Sequence, residues 1–284
     1  MRKRRKWSGF QVTLVTSFTA LAAFMLLPIV FILNHAFKPQ NELFLFPPQF
    51  LVQNPTLRNF ESLFLHASNA TVPFTRYLFN SLLVAGLTLA GVILVSSMAA
   101  YALGKYRFHF KALVMSLITI SLMFAPETVS IPRYLIISGL GLNNTYFGHL
   151  LPSLASPVAV FLLIGFISQI PNEVIEAAKM DGASHFGIFS RIVMPLSVPA
   201  IATISIFTFQ GVWGDVETST LFMQEETMRT LAFYVNSLIS GLQNSVAGQN
   251  MAAAAGLLMF LPNLIIFLLF QKRVLETMVH SGIK

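Results

Sequence analysis

Apolar residues run in long blocks, and the length of those blocks sets the fold class. Six are drawn along the chain: about Phe10 to Leu33, Tyr77 to Leu103, Ala112 to Ile131, Phe147 to Ile167, Ser197 to Trp213 and Met251 to Phe270. As helices, blocks of this length cross the roughly 30 Å of a bilayer's hydrocarbon. The pattern predicts an all-α, polytopic membrane protein with six transmembrane helices. Residues 1–284 read as one domain, because the two larger polar stretches, 34–76 and 214–250, are rich in Pro, Asn, Ser and Gly and too short for another. The half-apolar stretch from Arg133 to Leu142 follows Pro132 and is predicted to lie on the surface of the bundle. In the second block Ser96, Ala100 and Gly104 recur every four residues, a small-residue face for close helix approach. Packing inside this chain and contact with a partner subunit both fit that face.

Composition supports the bilayer. Apolar residues make up 55% of the 284 and charged residues 10%, against about 25% charged in soluble domains. The net charge of +7 does not point to nucleic acid, because Arg2, Lys3, Arg4, Arg5 and Lys6 precede the first block directly and read as a topology signal. That block is longer than the apolar core of a signal peptide and lacks a small-x-small site after it, so a retained span is expected. With the N-terminus inside, the inner segments hold most of the 18 basic residues, which places both termini in the cytoplasm. The chain has no cysteine, hence no disulfide, thiolate metal site or thiol nucleophile.

The segment from 169 to 195, between the fourth and fifth blocks, reads as two short helices with a sharp turn. Pro171 suits a first helical turn, and Asn172 to Lys179 holds strong helix formers. Gly182 supplies a left-handed stop, Ser184 a cap for the second helix, and Pro195 a break before the fifth block. Ala177 and Ala178 offer a small surface flanked by the charges of Glu176 and Asp181, open to a basic partner. Phe186, Phe189 and Ile192 share a helical face for docking or for packing under the bundle.

The order Ile170-Pro171, Glu176-Ala177-Ala178, Asp181-Gly182-Ala183, Phe189, Ile192 and Pro195 resembles the EAA loop of bacterial ABC importer permeases, in its carbohydrate (maltose-type) branch. Met194 departs from the frequent leucine. Asn80-Ser81-Leu82, Ala99 to Leu103, Tyr106-Arg107-Phe108 and Gly139 to Tyr146 resemble other parts of the same branch. The resemblance implies a permease subunit of a binding-protein-dependent importer, in the bacterial inner membrane, forming half of a pathway for a carbohydrate. Its implied partners are a second permease, two copies of a cytoplasmic ATPase, an extracytoplasmic solute-binding protein and the lipid bilayer. Glu176, Ala177, Ala178, Asp181, Gly182, Ala183, Phe189 and Pro195 would form the contact with the ATPase, which binds ATP and Mg. This chain has no G-x-x-x-x-G-K-[ST] loop: Gly182 and Gly187 have the spacing, but Ile188 stands where lysine is needed.

Other candidate chemistry is sparse. The six histidines include no i, i+4 pair, and no metal site is expected; they read as separate surface or interface residues. Glu127, after Pro126 near the end of the third block, is a candidate for the substrate pathway, or else an acid in outer water or paired to Arg133. Asp215, Glu217, Glu225 and Glu226 make the 214–250 stretch acidic, and Trp213 is expected at the membrane interface. An ion-gradient-driven secondary transporter or channel is the alternative reading, against which stand the missing half-repeats and intramembrane charges.

Overall fold

The structure, a computed structural model, describes residues 8–47, 49–68, 72–242 and 248–281. It forms two compact units: Met1–Ala70 with Ser237–Leu258, and Thr71–Asn236 with Met259–Lys284. The basic cluster Arg2 to Lys6 lies outside the described residues.

In the first unit, helix α1 (Gly9–Phe37) starts at a capping box in which Ser8 and Gln11 satisfy each other's backbone N–H groups. Apolar side chains cover all sides of α1 and only Ala36 is buried, so a bilayer or a neighbouring subunit must cover the rest. Beyond it come α2 (Gln40–Leu43) and α3 (Arg58–Ser68), held by polar contacts. Asn59 Nδ2 donates to the carbonyls of Ala36 and Lys38 at 2.8 and 2.9 Å, and Asn250 Nδ2 donates to Lys38 O at 2.6 Å. The Glu42 carboxylate accepts from Gln53 N, Asn54 N and Asn54 Nδ2 at 2.8–3.2 Å.

Burial alone would push the Glu42 carboxyl up. The N–H groups of Gln53 and Asn54 and the charge of Lys38 outweigh it, and hold the group below its usual 4.5. A carboxyl lowered in the folded state stabilises fully above its free value and loses that contribution as pH falls through its folded value. Amide exchange at Gln53 and Asn54 is therefore expected to lose protection below the ordinary carboxylate range. In Glu42→Gln the protection should be low at every pH; unchanged protection would show the carboxylate to be idle.

The second unit is built on α4 (Phe74–Lys105). Following it are α5 (Lys111–Ser121), a 3₁₀ turn (Pro126–Val129), α6 (Ser130–Gly139), α7 (Tyr146–Leu154), α8 (Pro157–Ile167), α9 (Asn172–Met180), α10 (His185–Ile188), α11 (Met194–Leu196), α12 (Val198–Trp213) and α13 (Glu217–Phe222), and then α14 (Leu231–Leu242) and α15 (Gln249–Ser281), which are divided between the two units at Ser237 and Leu258. Among the described residues, helices α1, α4 and α15 are long and apolar enough to cross a membrane unbroken, and three bent pairs bring the possible spans to six.

The bends revise the expected boundaries. The third block is not one helix: α5 ends at Ser121, and the chain resumes at Pro126 at 112° to it. Proline drives its predecessor out of the α region, and Ala125 is extended at φ −69°, ψ 139°. The fourth block breaks by 45° between α7 and α8, where Pro157 opens the new helix and Ser156 caps it through Ala159 N. Pro132 lies in the first turn of α6, whose Ile137 packs on Phe222 and Met223.

Helices α7, α8 and α12 pack on α4. Ser96 and Ala100 are fully buried, and a Cβ on Gly104 would stand 3.4 Å from Ser168 Oγ. The small-residue face of α4 is thus used within this chain, against α8 and its C-terminal turn. At the Phe74 end of α4 a polar clamp closes the unit. Asn80 Nδ2 donates to the carbonyls of Thr227 and Arg229 at 2.8 Å, Tyr146 Oη donates to Asn80 Oδ1 at 2.9 Å, and Ser81 Oγ accepts from Leu231 N at 2.8 Å. Asn144, left-handed at φ 57°, accepts from Gln224 N and Glu225 N.

Two side chains fall elsewhere than expected. Trp213 is turned into the chain rather than outward, 2% exposed, stacked on Phe209 with its indole N–H on Met259 O at 3.2 Å. His149 is a core residue, not a surface one, with hydrogen bonds to Thr218 Oγ1 at 2.8 Å and Met228 O at 3.1 Å.

Candidate functional site at the helical hairpin 169–195

Helix α9 begins after Pro171, with Glu173 in its first turn and Lys179 in its last, both favourable to the helix dipole. It ends in a Schellman turn. Ala183 N donates to Ala178 O and Gly182 N to Lys179 O, each at 3.0 Å, and Gly182 sits at φ 79° as expected from the sequence. Ser184 then caps α10, accepting from Gly187 N at 3.1 Å. Asp181 is the C-cap of α9.

Between α10 and α11 the helix widens into a π turn over Phe189–Val193, closed by Met194 N–H to Phe189 O. Pro195 accounts for it. In a regular α-helix its ring would collide with the carbonyl of Arg191 and leave that carbonyl without a donor. Ser197 follows, fully buried, and α12 leaves at 77°.

The base of the hairpin belongs to the core of the unit. Ile170, Ile175, Ile188, Phe189 and Val193 are buried with Tyr101 of α4, Leu163 and Ile167 of α8, and Ile204 of α12. The tip projects. Met180 is 89% exposed and Phe186 69%, and Glu176, Ala177, Asp181, Gly182 and Ala183 are exposed beside them. The face expected for Phe186, Phe189 and Ile192 is therefore divided: Phe186 is exposed, with its ring 6.3 Å from that of Phe189, while Phe189 and Ile192 pack inward.

The Lys105 end of α4 grips both halves of the hairpin. Lys105 Nζ donates to Ser168 O at 3.2 Å, to Ile170 O, and to Asn172 Oδ1 at 3.1 Å, binding the end of α8 to the start of α9. Tyr106 Oη lies 2.7 Å from His185 Nδ1 and 3.2 Å from Tyr101 Oη, and Lys179 Nζ is 5.8 Å from the Tyr106 ring. In the sequence Lys105 is one of the basic residues of an inner segment, and His185 is one of six histidines without a paired neighbour. The one available signal was Tyr106, which stands in a stretch that resembles the family.

Glu127 is exposed on the 3₁₀ turn. Arg133 pairs with Glu217 at 3.6 Å.

A helical chain with apolar spans and a projecting helix–turn–helix, held by hydrogen bonds to the long helix α4, fits the membrane component of a transport system. The chain belongs to the family of binding-protein-dependent transport system inner membrane components, whose model matches residues 2–276. It is 29% identical to the arabinooligosaccharides transport system permease protein AraQ of Bacillus subtilis, over 100% of this chain and 99% of that one. It is 33% identical to the sn-glycerol-3-phosphate transport system permease protein UgpE of Pectobacterium atrosepticum, over 78% of this chain and 79% of that one. Its fold is shared by a chain of a bacterial ABC transporter that imports the acidic polysaccharide alginate, with a TM-score of 0.79 at 20% identity, covering 94% of this chain and 99% of that one. The chain is thus a multi-pass membrane permease subunit.

Proposed function

We propose that this chain forms half of the transmembrane pathway of a carbohydrate importer and takes its energy from a separate cytoplasmic ATPase through the hairpin 169–195. The observation that carries the reading is the division of the hairpin into a welded base and a bare apolar tip edged with acid. Met180 and Phe186 supply area for a cleft in the partner, and Ala177, Ala178 and Ala183 let its backbone approach. Glu176 and Asp181 meet basic residues there, and Gly182 holds the two helices at their angle. Phe189 and Pro195 sit on the bundle side, where Phe189 is buried and Pro195 sets the π turn. A push on the tip reaches α4 through Lys105 and Tyr106, and α12 through α11.

The hairpin and both termini lie on the cytoplasmic side in this reading. A second permease completes the pathway, two ATPase copies bind ATP and Mg, and an external solute-binding protein delivers the solute to the far end. Relatives named for arabinooligosaccharides and for sn-glycerol-3-phosphate support a saccharide or a polyol ester as cargo. Glu127, one residue from the wall of a groove described below, stands at the rim of the pathway.

Glu176→Lys tests the docking. The side chain is exposed, so the substitution should leave membrane insertion intact. It is expected to lower the amount of ATPase that co-purifies with the permease and to cut uptake in parallel. Undiminished co-purification and uptake would defeat the assignment, as would uptake that survives ATP depletion but collapses with an uncoupler.

A further inference from the structure

The break between α7 and α8 has a chemical consequence. Ala155 (φ −80°, ψ 83°) and Ser156 (φ −104°, ψ 93°) leave the helical region in the middle of an apolar span. The helical ladder is interrupted there: Ser156 N donates back to Leu154 O at 3.0 Å, Ala159 N donates to Ser156 Oγ at 3.4 Å, and Pro157 has no N–H to offer. Irregular backbone at membrane depth persists only where protein buries it or where it lines a watery path.

Two adjoining cavities open at this break. One, of about 360 Å³, is lined by Arg133, Asp215 and Glu217 among others. The other, of about 340 Å³, has an apolar wall that includes Leu162 and Ile204. Ser156, Phe207 and Thr208 line both and so make them one groove. Each is in the size range of small-molecule sites, about 300–1,000 Å³. The Phe207 ring is 59% exposed.

We propose that this groove is a subsite for one ring of a neutral saccharide on this chain's own wall of the pathway, with the sugar face on Phe207 and its hydroxyls on those of Ser156 and Thr208. The inference rests on the importer reading above and narrows its cargo. An aromatic face beside hydroxyls matches a sugar ring, apolar on its C–H face and polar at its edge. An inorganic ion would find no charged side chain in the inner cavity. An anionic ester meets one cation, Arg133, already paired with Glu217, and a second acid in Asp215. The charged mouth is thus net negative and repels anions. By this groove the cargo resembles that named for the arabinooligosaccharide relative rather than that of the glycerol-phosphate one.

The chain's lack of cysteine permits a direct test. Thr208→Cys is assembled with partner subunits stripped of reactive thiols, and its reaction with two membrane-impermeant probes is timed. The probes are a neutral glucosyl methanethiosulfonate and an anionic sulfonatoethyl methanethiosulfonate, each rate divided by that with free cysteine. The glucosyl probe is expected to react about ten-fold faster than the anion, the difference being electrostatic. Glu217→Gln should raise the anionic rate several-fold. Phe207→Ala should lower the glucosyl rate about three- to ten-fold, as loss of an aromatic contact does, and leave the anionic rate unchanged. Phe267→Cys, apolar and exposed on α15, should stay unlabelled as the lipid-facing control. A Thr208→Cys chain silent to both probes would overturn the groove as a solute site and mark it as covered by the second permease. Equal rates for the two probes would overturn the preference for a neutral sugar. ATPase co-purification in the same sample separates these outcomes from failure of the importer reading, which alone would remove the ATPase.

Discussion

Gly182→Pro is expected to abolish uptake while the permease still reaches the membrane. The residue sits at φ 79° and its N–H closes the Schellman turn on Lys179 O. Proline fixes φ near −65° and has no N–H, so the turn must open and the two halves of the hairpin must swing apart. Disruption of this kind costs about 3 kcal/mol or more, equivalent to a roughly hundredfold weaker docking of the ATPase. Gly182→Ala meets no steric neighbour, because a Cβ there has open space around it. Only the left-handed backbone penalises it, at about 1–2 kcal/mol, so docking should weaken roughly ten-fold. A pull-down of the ATPase against a titration of detergent-solubilised permease distinguishes the graded series proline, alanine, glycine from an unaffected one. Equal affinities for all three would mean that the angle between the helices is irrelevant to the partner.

The second large effect belongs to Lys105, and it is of a different kind. Lys105→Met keeps the methylene stem and leaves the tip of the hairpin untouched. It removes the donor shared by Ser168 O, Ile170 O and Asn172 Oδ1. The ATPase should bind normally, because no docking residue changes. One of the two polar links from hairpin to α4 is lost while that of Tyr106 to His185 remains, so ATP turnover continues while the bundle follows less. The number of ATP molecules hydrolysed per solute imported is expected to rise about ten-fold, in line with loss of about 1.5 kcal/mol from charge-assisted hydrogen bonds. Lys105→Arg, which retains charge and several donors, should recover part of the coupling. A parallel fall of ATPase binding and uptake would place Lys105 in the general stability of the chain instead.

The local chemistry of the hairpin is legible in the sequence because each step involves neighbours. Gly182, Ser184 and Pro171 act on residues within a few positions, and their conformations follow from the residue type. The π turn is less legible, since Pro195 signals a disturbance but not whether the helix stops or widens. The couplings to α4 are the least legible. Lys105 reaches residues 63 to 67 positions later and Tyr106 reaches 79, separations over which periodicity carries no information. Phe186, Phe189 and Ile192 share one arc of a helical wheel, yet only the last two have the bundle beside them. The same limit applies to the spans. Prolines at 126 and 157 mark interruptions, but a 112° turn and a 45° bend arise from what surrounds them. The burial of His149 and Trp213 is not legible because their partners, Thr218, Met228 and Met259, are distant in sequence.

Met180, at the bare tip of the hairpin, offers the most direct test of energy transfer through this element. A photo-activated cross-linking residue placed there in the assembled importer is predicted to trap the cytoplasmic ATPase, with a yield that changes when ATP is added. Adducts with lipid or with the external binding protein, and none with the ATPase, would contradict the account.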